Sequence, residues 1–250
     1  MIQPIILAAG RNKRMKRKFP KFMHRLNGQT TLERIVATVE SLGSLVTKPI
    51  VVVSRQNRHY VKQTLGRRVK IVTAAAKGTG YAVQRAQSAL SDRAQDIMPL
   101  NGDHPFVRLA MLKQLIHKHQ QGQSHLTLLT LKVPHYRGIY QGFRSFGRIV
   151  RQGGQVKEIV EWKEAPPKVR QIREVNPTFM VIQSGWARRQ LNRLPIHPNG
   201  EYYLTDLLKI SAKTEHGLNA LVSKDVVSCL SYNTPEDLKR LADFAHRKKI

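Results

Sequence analysis

The 250 residues, 41% of them hydrophobic, can bury one large α/β core or two small ones without staples, and the single cysteine, Cys229, excludes an internal disulfide. No apolar run is long enough for a membrane span, and Met1-Ile2-Gln3-Pro4 leads straight into strand-like sequence, so a cytoplasmic chain with no membrane partner is expected. Lys and Arg number 43 against 16 Asp and Glu, a formal charge of +27, but the cations are scattered and carry no basic arm, zinc-finger spacing or RNP-type aromatic pattern, so nucleic acid is expected to be met only non-specifically through charge.

The first strand signal is Pro4 to Leu7, and Ile5-Ile6-Leu7-Ala8-Ala9-Gly10 reads as a buried strand ending in a small-residue turn. Seven cations follow between Arg11 and Lys21. Small side chains let backbone N–H groups approach an anion and the cations neutralise it, so this stretch nominates a nucleotide. Leu32, Ile35, Val36, Val39 and Leu42 at helical spacing predict a helix over 31–42, and Ala82, Val83, Ala86 and Leu90 predict another over 80–90. Further strands are read at 50–53, 69–72, 97–100 and 126–131. This alternation predicts a parallel or mostly parallel sheet covered on both faces, with ligands at the carboxyl ends of its strands.

After about residue 135 the texture changes. Phe146-Gly147-Arg148-Ile149-Val150, Gly153-Gly154 and the run 156–160 predict a β-hairpin, Glu164-Ala165-Pro166-Pro167 a loop, and 175–182 one further strand. Glu201-Tyr202-Tyr203-Leu204-Thr205-Asp206 opens a helix, and Thr234-Pro235-Glu236-Asp237 caps a last one carrying Leu238, Leu241 and Phe244.

Asp103 follows a strand and the turn Asn101-Gly102, where a carboxylate can bind the Mg²⁺ that accompanies a nucleoside triphosphate or simply cap the turn. Gly78-Thr79-Gly80 lets a base or phosphate approach the backbone, or is an ordinary strand-to-helix turn. Glu161 and Asn176 sit at strand ends where each could hydrogen-bond a sugar or face solvent. The ten histidines show no metal-ligand spacing, and no Gly-x-Ser-x-Gly or Cys/His nucleophile pattern is present.

In order, the chain reads Leu7-Ala8-Ala9-Gly10-Arg11-Asn12-Lys13-Arg14-Met15, Pro20-Lys21, Gly78-Thr79-Gly80, Asn101-Gly102-Asp103, Phe146-Gly147-Arg148-Ile149-Val150, Ile159-Val160-Glu161-Trp162-Lys163, Glu174-Val175-Asn176, the 201–206 motif and Asn233. This succession resembles the sugar-phosphate nucleotidyltransferases, and most closely the uridylyltransferase domain of the bifunctional N-acetylglucosamine-1-phosphate uridylyltransferase family. The resemblance implies an α/β, Rossmann-like nucleotidyltransferase (GT-A-like) fold, a mostly parallel mixed sheet flanked by helices with a β-rich sugar-binding portion. It implies one domain over 1–250, with a nucleotide-binding half to about 130, a sugar-phosphate portion to about 233 and a C-terminal helix. The reaction implied is transfer from UTP to N-acetylglucosamine 1-phosphate, giving UDP-N-acetylglucosamine and pyrophosphate. Small-molecule substrates are the implied partners.

On the same resemblance Arg14, Lys21 and Asp103 are the catalytic set, and Asp103 with Asn233 holds Mg²⁺. Leu7, Ala8, Ala9 and Gly10 line the nucleotide pocket, Thr73, Gly78 and Thr79 lie on its uridine side, and Asn101 and Gly102 lie near the ribose. Gly147, Glu161 and Asn176 fall to the sugar, and Thr205 is a further substrate-binding residue. The hexapeptide-repeat β-helix of the family's acetyltransferase half is not in the sequence, so acetyl transfer is not expected. Three departures bear on the substrate. Asn12-Lys13 replaces Gly-Thr in the phosphate loop; Thr73 and Ala76 stand where uracil-reading polar residues are usual; and Pro177-Thr178 stands where Thr-Gly is usual. They keep open a different nucleotide or acceptor, or an inactive transferase fold that binds polyanions.

Overall fold

The apolar run at the amino terminus becomes an interior strand of the sheet, as its hydrophobicity on both faces requires. In the computed structural model, which describes residues 1–10, 15, 19–214 and 217–248, this strand is β1 (Ile2–Ala8). It is followed by β2 (Arg25–Leu26), β3 (Gln29–Thr30), α1 (Thr31–Glu40), β4 (Ile50–Val53), α2 (Arg58–Leu65), β5 (Lys70–Thr73) and α3 (Thr79–Ala86). Next come β6 (Asp96–Asn101), α4 (Leu109–Gln120), β7 (Leu126–Lys132), β8 (Arg148–Gln152), β9 (Gln155–Val160) and α5 (Pro167–Arg170). The chain continues through β10 (Glu174–Val175), β11 (Met180–Gln183), α6 (Ser184–Leu191), α7 (Asp206–Ser211), β12 (Leu218–Ser223) and α8 (Pro235–Lys248).

Strands β5, β4, β1 and β6 run parallel, with β1 paired to β4 on one side and β6 on the other. The chain therefore reverses its direction of travel across the sheet at β1/β6, the position where an open α/β sheet leaves a crevice. From β11 outward, through β7, β10, β8 and β9, the pairing is antiparallel, and β12 returns parallel to β7. The expected parallel character thus belongs to one half of a mixed sheet.

Period-two alternation divides the core between the two faces. Ile6, Ala8, Val51 and Val53 point to one cluster, under α1, α2, α4 and α8; Ile5, Ile50 and Val52 point to the other, under α3, α6 and α7. Helix α1 is set by its own sequence: Thr30 and Glu33 form a reciprocal capping box, and Leu32, Ile35, Val36 and Val39 are fully buried. Such a cap stabilises a helix by about 1 kcal/mol, less than one buried leucine at about 2 kcal/mol, so packing decides where α1 lies. Cys229 is fully buried, as its apolar reading requires. Among the described residues no helix is long and apolar enough to cross a membrane.

The hairpin over β8 and β9 forms as read, with Gly153 and Gly154 at φ 56° and 81° in its two-residue turn. The single strand expected over 175–182 does not form. It is broken into β10 and β11, both still paired to β7, because Pro177 has no N–H to give the ladder and Thr178 adopts φ 66°. The helix expected from Glu201 begins only at Asp206, since 201–203 are held extended against the 77–80 turn.

Candidate active site

The carboxyl ends of β1 and β6 meet in register, Leu7 opposite Asn101, and just beyond them Gly102 donates its N–H to the Leu7 carbonyl at 2.9 Å. A Cβ on Gly102 would sit 3.0 Å from that carbonyl oxygen, so a larger residue would press the two strand ends apart by a few tenths of an ångström. The next residue, Asp103, is thereby fixed at the mouth of the crevice.

Lys21 reaches Asp103 from the turn after the cationic loop. Its Nζ lies 2.6 Å from Asp103 Oδ2 and 2.9 Å from Asn233 Oδ1. Tyr232, beside Asn233, holds the same lysine from behind: its hydroxyl donates to the Lys21 carbonyl at 2.6 Å and contacts Thr31 Oγ1 at 2.8 Å, and its ring lies 5.3 Å from Nζ. Tyr232 is fully buried, and burial pushes its phenol far up, so it acts as a neutral strut. Nothing in the local sequence marks Tyr232 for this role except its place next to Asn233.

Burial alone would raise the Asp103 carboxyl, but the Lys21 ammonium, His104 and the hydrogen bonds the carboxylate accepts together outweigh burial and hold the group below the usual carboxylate range. Asp103 Oδ1 is buried without a hydrogen-bond partner. An ionised oxygen left without a donor, beside an amide oxygen, suits a hard cation such as Mg²⁺. Among the described residues no group of three or more His, Cys, Asp and Glu could hold a metal, so the fit is to an ion that takes its other oxygens from water and phosphate.

Two cavities adjoin this cluster. The larger, about 590 Å³, is lined by Leu7, Ala8, Ala9 and Gly10 on one side and by Gly78 and Thr79 on the other, with Lys21 and Gly102 between them. The smaller, about 180 Å³, is lined by Gly147, Glu161 and Asn176, with Phe146 and Thr178. Asn101, Asp103 and Asn233 line both. Residues distant in sequence are thus gathered into two compartments that meet at the lysine–aspartate pair.

Other expected residues fall elsewhere. Thr73 ends β5 and lines a third, open pocket of about 910 Å³ with Ala74, Ala75, Ala76, Gln56 and Arg85, joined to the larger cavity through Ala9 and Gly10. Thr205 lines neither main cavity; it stands behind Glu161 and hydrogen-bonds the carboxylate. Burial raises the Glu161 carboxyl above its usual value and Thr205 opposes that only in part. Arg14, with Asn12 and Lys13, lies outside the described residues.

The sequence reading missed the wall contributed by Asn199, Glu201 and Tyr203. The 201–206 stretch was legible as a motif, but its use as a wall depends on a clamp to the 77–80 turn. There Tyr202 donates to the Lys77 carbonyl at 2.8 Å, Gly80 to the Tyr202 carbonyl at 2.9 Å, and Leu204 to the Thr79 hydroxyl at 3.1 Å.

A sheet that changes direction at β1/β6 and gathers small residues, a lysine and an aspartate there has the architecture of a nucleotidyltransferase fold. Residues 4–197 match the MobA-like NTP transferase domain, and the chain belongs to that family. It is 30% identical over 246 residues to the bifunctional protein GlmU of Desulfitobacterium hafniense, covering 98% of this chain and 52% of that one. To the bifunctional protein GlmU of Pseudoalteromonas atlantica it is 35% identical over 211 residues, 83% of this chain and 44% of the relative. The chain spans about half the length of these curated relatives. In fold it is similar to a provisionally assigned glucose-1-phosphate thymidylyltransferase from Bacillus anthracis solved with a sucrose, at TM-score 0.75 and 16% identity over 98% of this chain and 95% of that one.

Proposed function

We propose that the chain transfers a uridylyl group from UTP to N-acetylglucosamine 1-phosphate, releasing pyrophosphate. One observation carries the two-substrate reading: the nucleotide-sized cavity and the smaller cavity share Asn101, Asp103 and Asn233, so ligands in the two compartments would meet beside Lys21. The ordered motifs from Leu7 to Asn233 support the choice of UTP and the amino sugar. As in other transfers of this class, the acceptor's own phosphate oxygen attacks the α-phosphorus and pyrophosphate leaves, so no protein nucleophile is needed. Lys21 would supply positive charge to the phosphates, and the small residues of 7–10 would give them close access to the backbone. Asp103 and Asn233 would hold Mg²⁺, which when bound neutralises phosphate charge.

A screen of pyrophosphate release from the four common nucleoside triphosphates, each with several sugar 1-phosphates and Mg²⁺, tests this. UTP with N-acetylglucosamine 1-phosphate is expected to be the fastest pair; equal rates with all four bases would remove the uridylyl assignment. One observation favours a second reading with another base. Thr73 and the alanines of 74–76 line a wide, open pocket, and a buried amide that would reject the wrong base by leaving it unpaired is absent from those four positions.

Glu161 gives the acceptor side its own pH signature. Ionised, it accepts hydrogen bonds from sugar hydroxyls through both oxygens, whereas protonation turns one of them into a donor, and burial lifts its pKa above the usual value near 4.5. As pH falls, the acceptor KM is therefore expected to rise at a higher pH than an ordinary glutamate would give, while the nucleotide KM stays level. In Glu161→Gln the acceptor KM should already be raised and flat across that window. Parallel movement of both KM values in the wild type would exclude Glu161 as the cause.

A further inference from the structure

The strand break between β10 and β11 holds a feature that the two-substrate reading does not use. Thr178 lies at φ 66°, one of two non-glycine residues with positive φ among the described residues, and a β-branched side chain is disfavoured there. It is pinned by three hydrogen bonds. Its N–H donates to Asn176 Oδ1 at 2.8 Å, its hydroxyl donates to the Pro177 carbonyl at 2.6 Å, and the same oxygen accepts from Asn101 Nδ2 at 2.7 Å. The fold thus maintains an unfavourable backbone at one wall of the smaller cavity, and strain of that kind persists only where the surroundings enforce it.

These bonds fix the polarity of the wall. With Asn176 Oδ1 committed to the Thr178 N–H, the Asn176 Nδ2 hydrogens are left to donate. With Asn101 Nδ2 committed to the Thr178 hydroxyl, Asn101 Oδ1 is left to accept, at the point where the two cavities meet. Asn176 is only 2% exposed, so its orientation is not open to averaging by solvent. Glu161 adds a second acceptor.

We propose that Thr178 is a positioning and specificity-setting residue of the acceptor cavity: its hydroxyl orients Asn101 and its β-branched side chain bounds the space open to the sugar phosphate. The inference rests on the smaller cavity being the acceptor site. A glycine at 178 would adopt the backbone without penalty, so the threonine is retained against conformational cost and its side chain is the reason. Substitution should therefore separate stability from recognition.

The test uses the full chain and the variants Thr178→Gly and Thr178→Ser. Calorimetric titration with N-acetylglucosamine 1-phosphate and with glucose 1-phosphate is made on protein saturated with a UTP analogue bridged by carbon between the α- and β-phosphorus, so no turnover is needed. Thr178→Gly should keep or raise Tm, weaken binding of the better sugar phosphate by roughly tenfold, as loss of one oriented hydrogen-bonding group implies, and narrow the preference between the two. Thr178→Ser, which keeps the hydroxyl, should stay within about threefold of wild type in affinity. Affinity for the UTP analogue should be unchanged in Thr178→Ser, which keeps the hydroxyl that holds Asn101. Wild-type affinity and preference in Thr178→Gly, or equal losses in Gly and Ser, would overturn the role of Thr178 alone. Failure of the wild type to bind either sugar phosphate would overturn this inference together with the acceptor reading.

Discussion

Asp103→Asn is expected to cost on the order of 10³-fold in turnover while leaving the fold in place, because it removes the one carboxylate at the junction of the two cavities. Asparagine preserves the shape and a carbonyl oxygen for Lys21, but not the charge that, on the proposed function, would position Lys21 and hold a divalent cation beside the phosphates. The stability cost should be about 3 kcal/mol, since Lys21, its side chain only 14% exposed, keeps two neutral acceptors but loses the carboxylate that compensates its charge. The pH dependence gives a second check. The Asp103 pKa is lowered in the folded state, so its pairing with Lys21 stabilises the protein above the unfolded-state pKa, and that contribution disappears as pH falls through the folded-state value. Acid unfolding of Asp103→Asn should lack this component. Thermal unfolding at several pH values and pyrophosphate release together measure both effects; near-wild-type turnover in the variant would remove Asp103 from the site.

The parts of the site legible from sequence are those where chemistry and local structure coincide. Leu7-Ala8-Ala9-Gly10 is an apolar strand that ends in residues too small to be anything but a turn or a contact, and it lines the larger cavity. Asn101-Gly102-Asp103 is legible because the glycine sits where two strand ends close, and a carboxylate follows it. Gly147, Glu161 and Asn176 also converge on one cavity, though nothing in their spacing measures how closely. Tyr232 was invisible because its function, a hydroxyl aimed at the Lys21 carbonyl, depends on a contact spanning 211 positions. Thr73 shows the opposite limit: the resemblance puts it on the uridine side, yet it ends β5 and opens onto the neighbouring pocket.

Among the secondary elements, α1 announced itself through the helical spacing of Leu32, Ile35, Val36, Val39 and Leu42, whereas α2 buries only Val61 and Leu65 and leaves a weak pattern. The break between β10 and β11 was hidden for a different reason. The run from Val175 to Ile182 is rich in strand formers around Pro177, and the bonds that Thr178 accepts from Asn101 and donates to Asn176 then hold the chain out of the ladder. Local propensity decided most of the sheet; the site is where it was overruled.

Gly78→Ala should be the most damaging of the small substitutions outside the lysine–aspartate cluster. Gly78 lies at φ 94°, ψ 171°, a region open essentially to glycine alone, and an added Cβ would meet the Tyr202 carbonyl oxygen at 2.4 Å and its nitrogen at 2.9 Å. Those atoms are backbone and already engaged with Lys77 and Gly80, so they cannot step aside without breaking the clamp. Conformational strain and the lost clamp together should cost about 3 kcal/mol or more, a fall in Tm of roughly 6–12 °C for a chain of this size. The damage should reach function as well, because the clamp places Glu201 and Tyr203 on the wall of the larger cavity. The nucleotide KM is expected to rise at temperatures where the variant remains folded. Gly153→Ala is the matching control: φ is also positive, at 56°, but a Cβ there meets nothing within 4 Å. It should cost only about 1–2 kcal/mol and leave the nucleotide KM unchanged. If both variants lose the same stability and neither shifts that KM, the clamp does not shape the pocket and the close contact at Tyr202 relaxes at little cost.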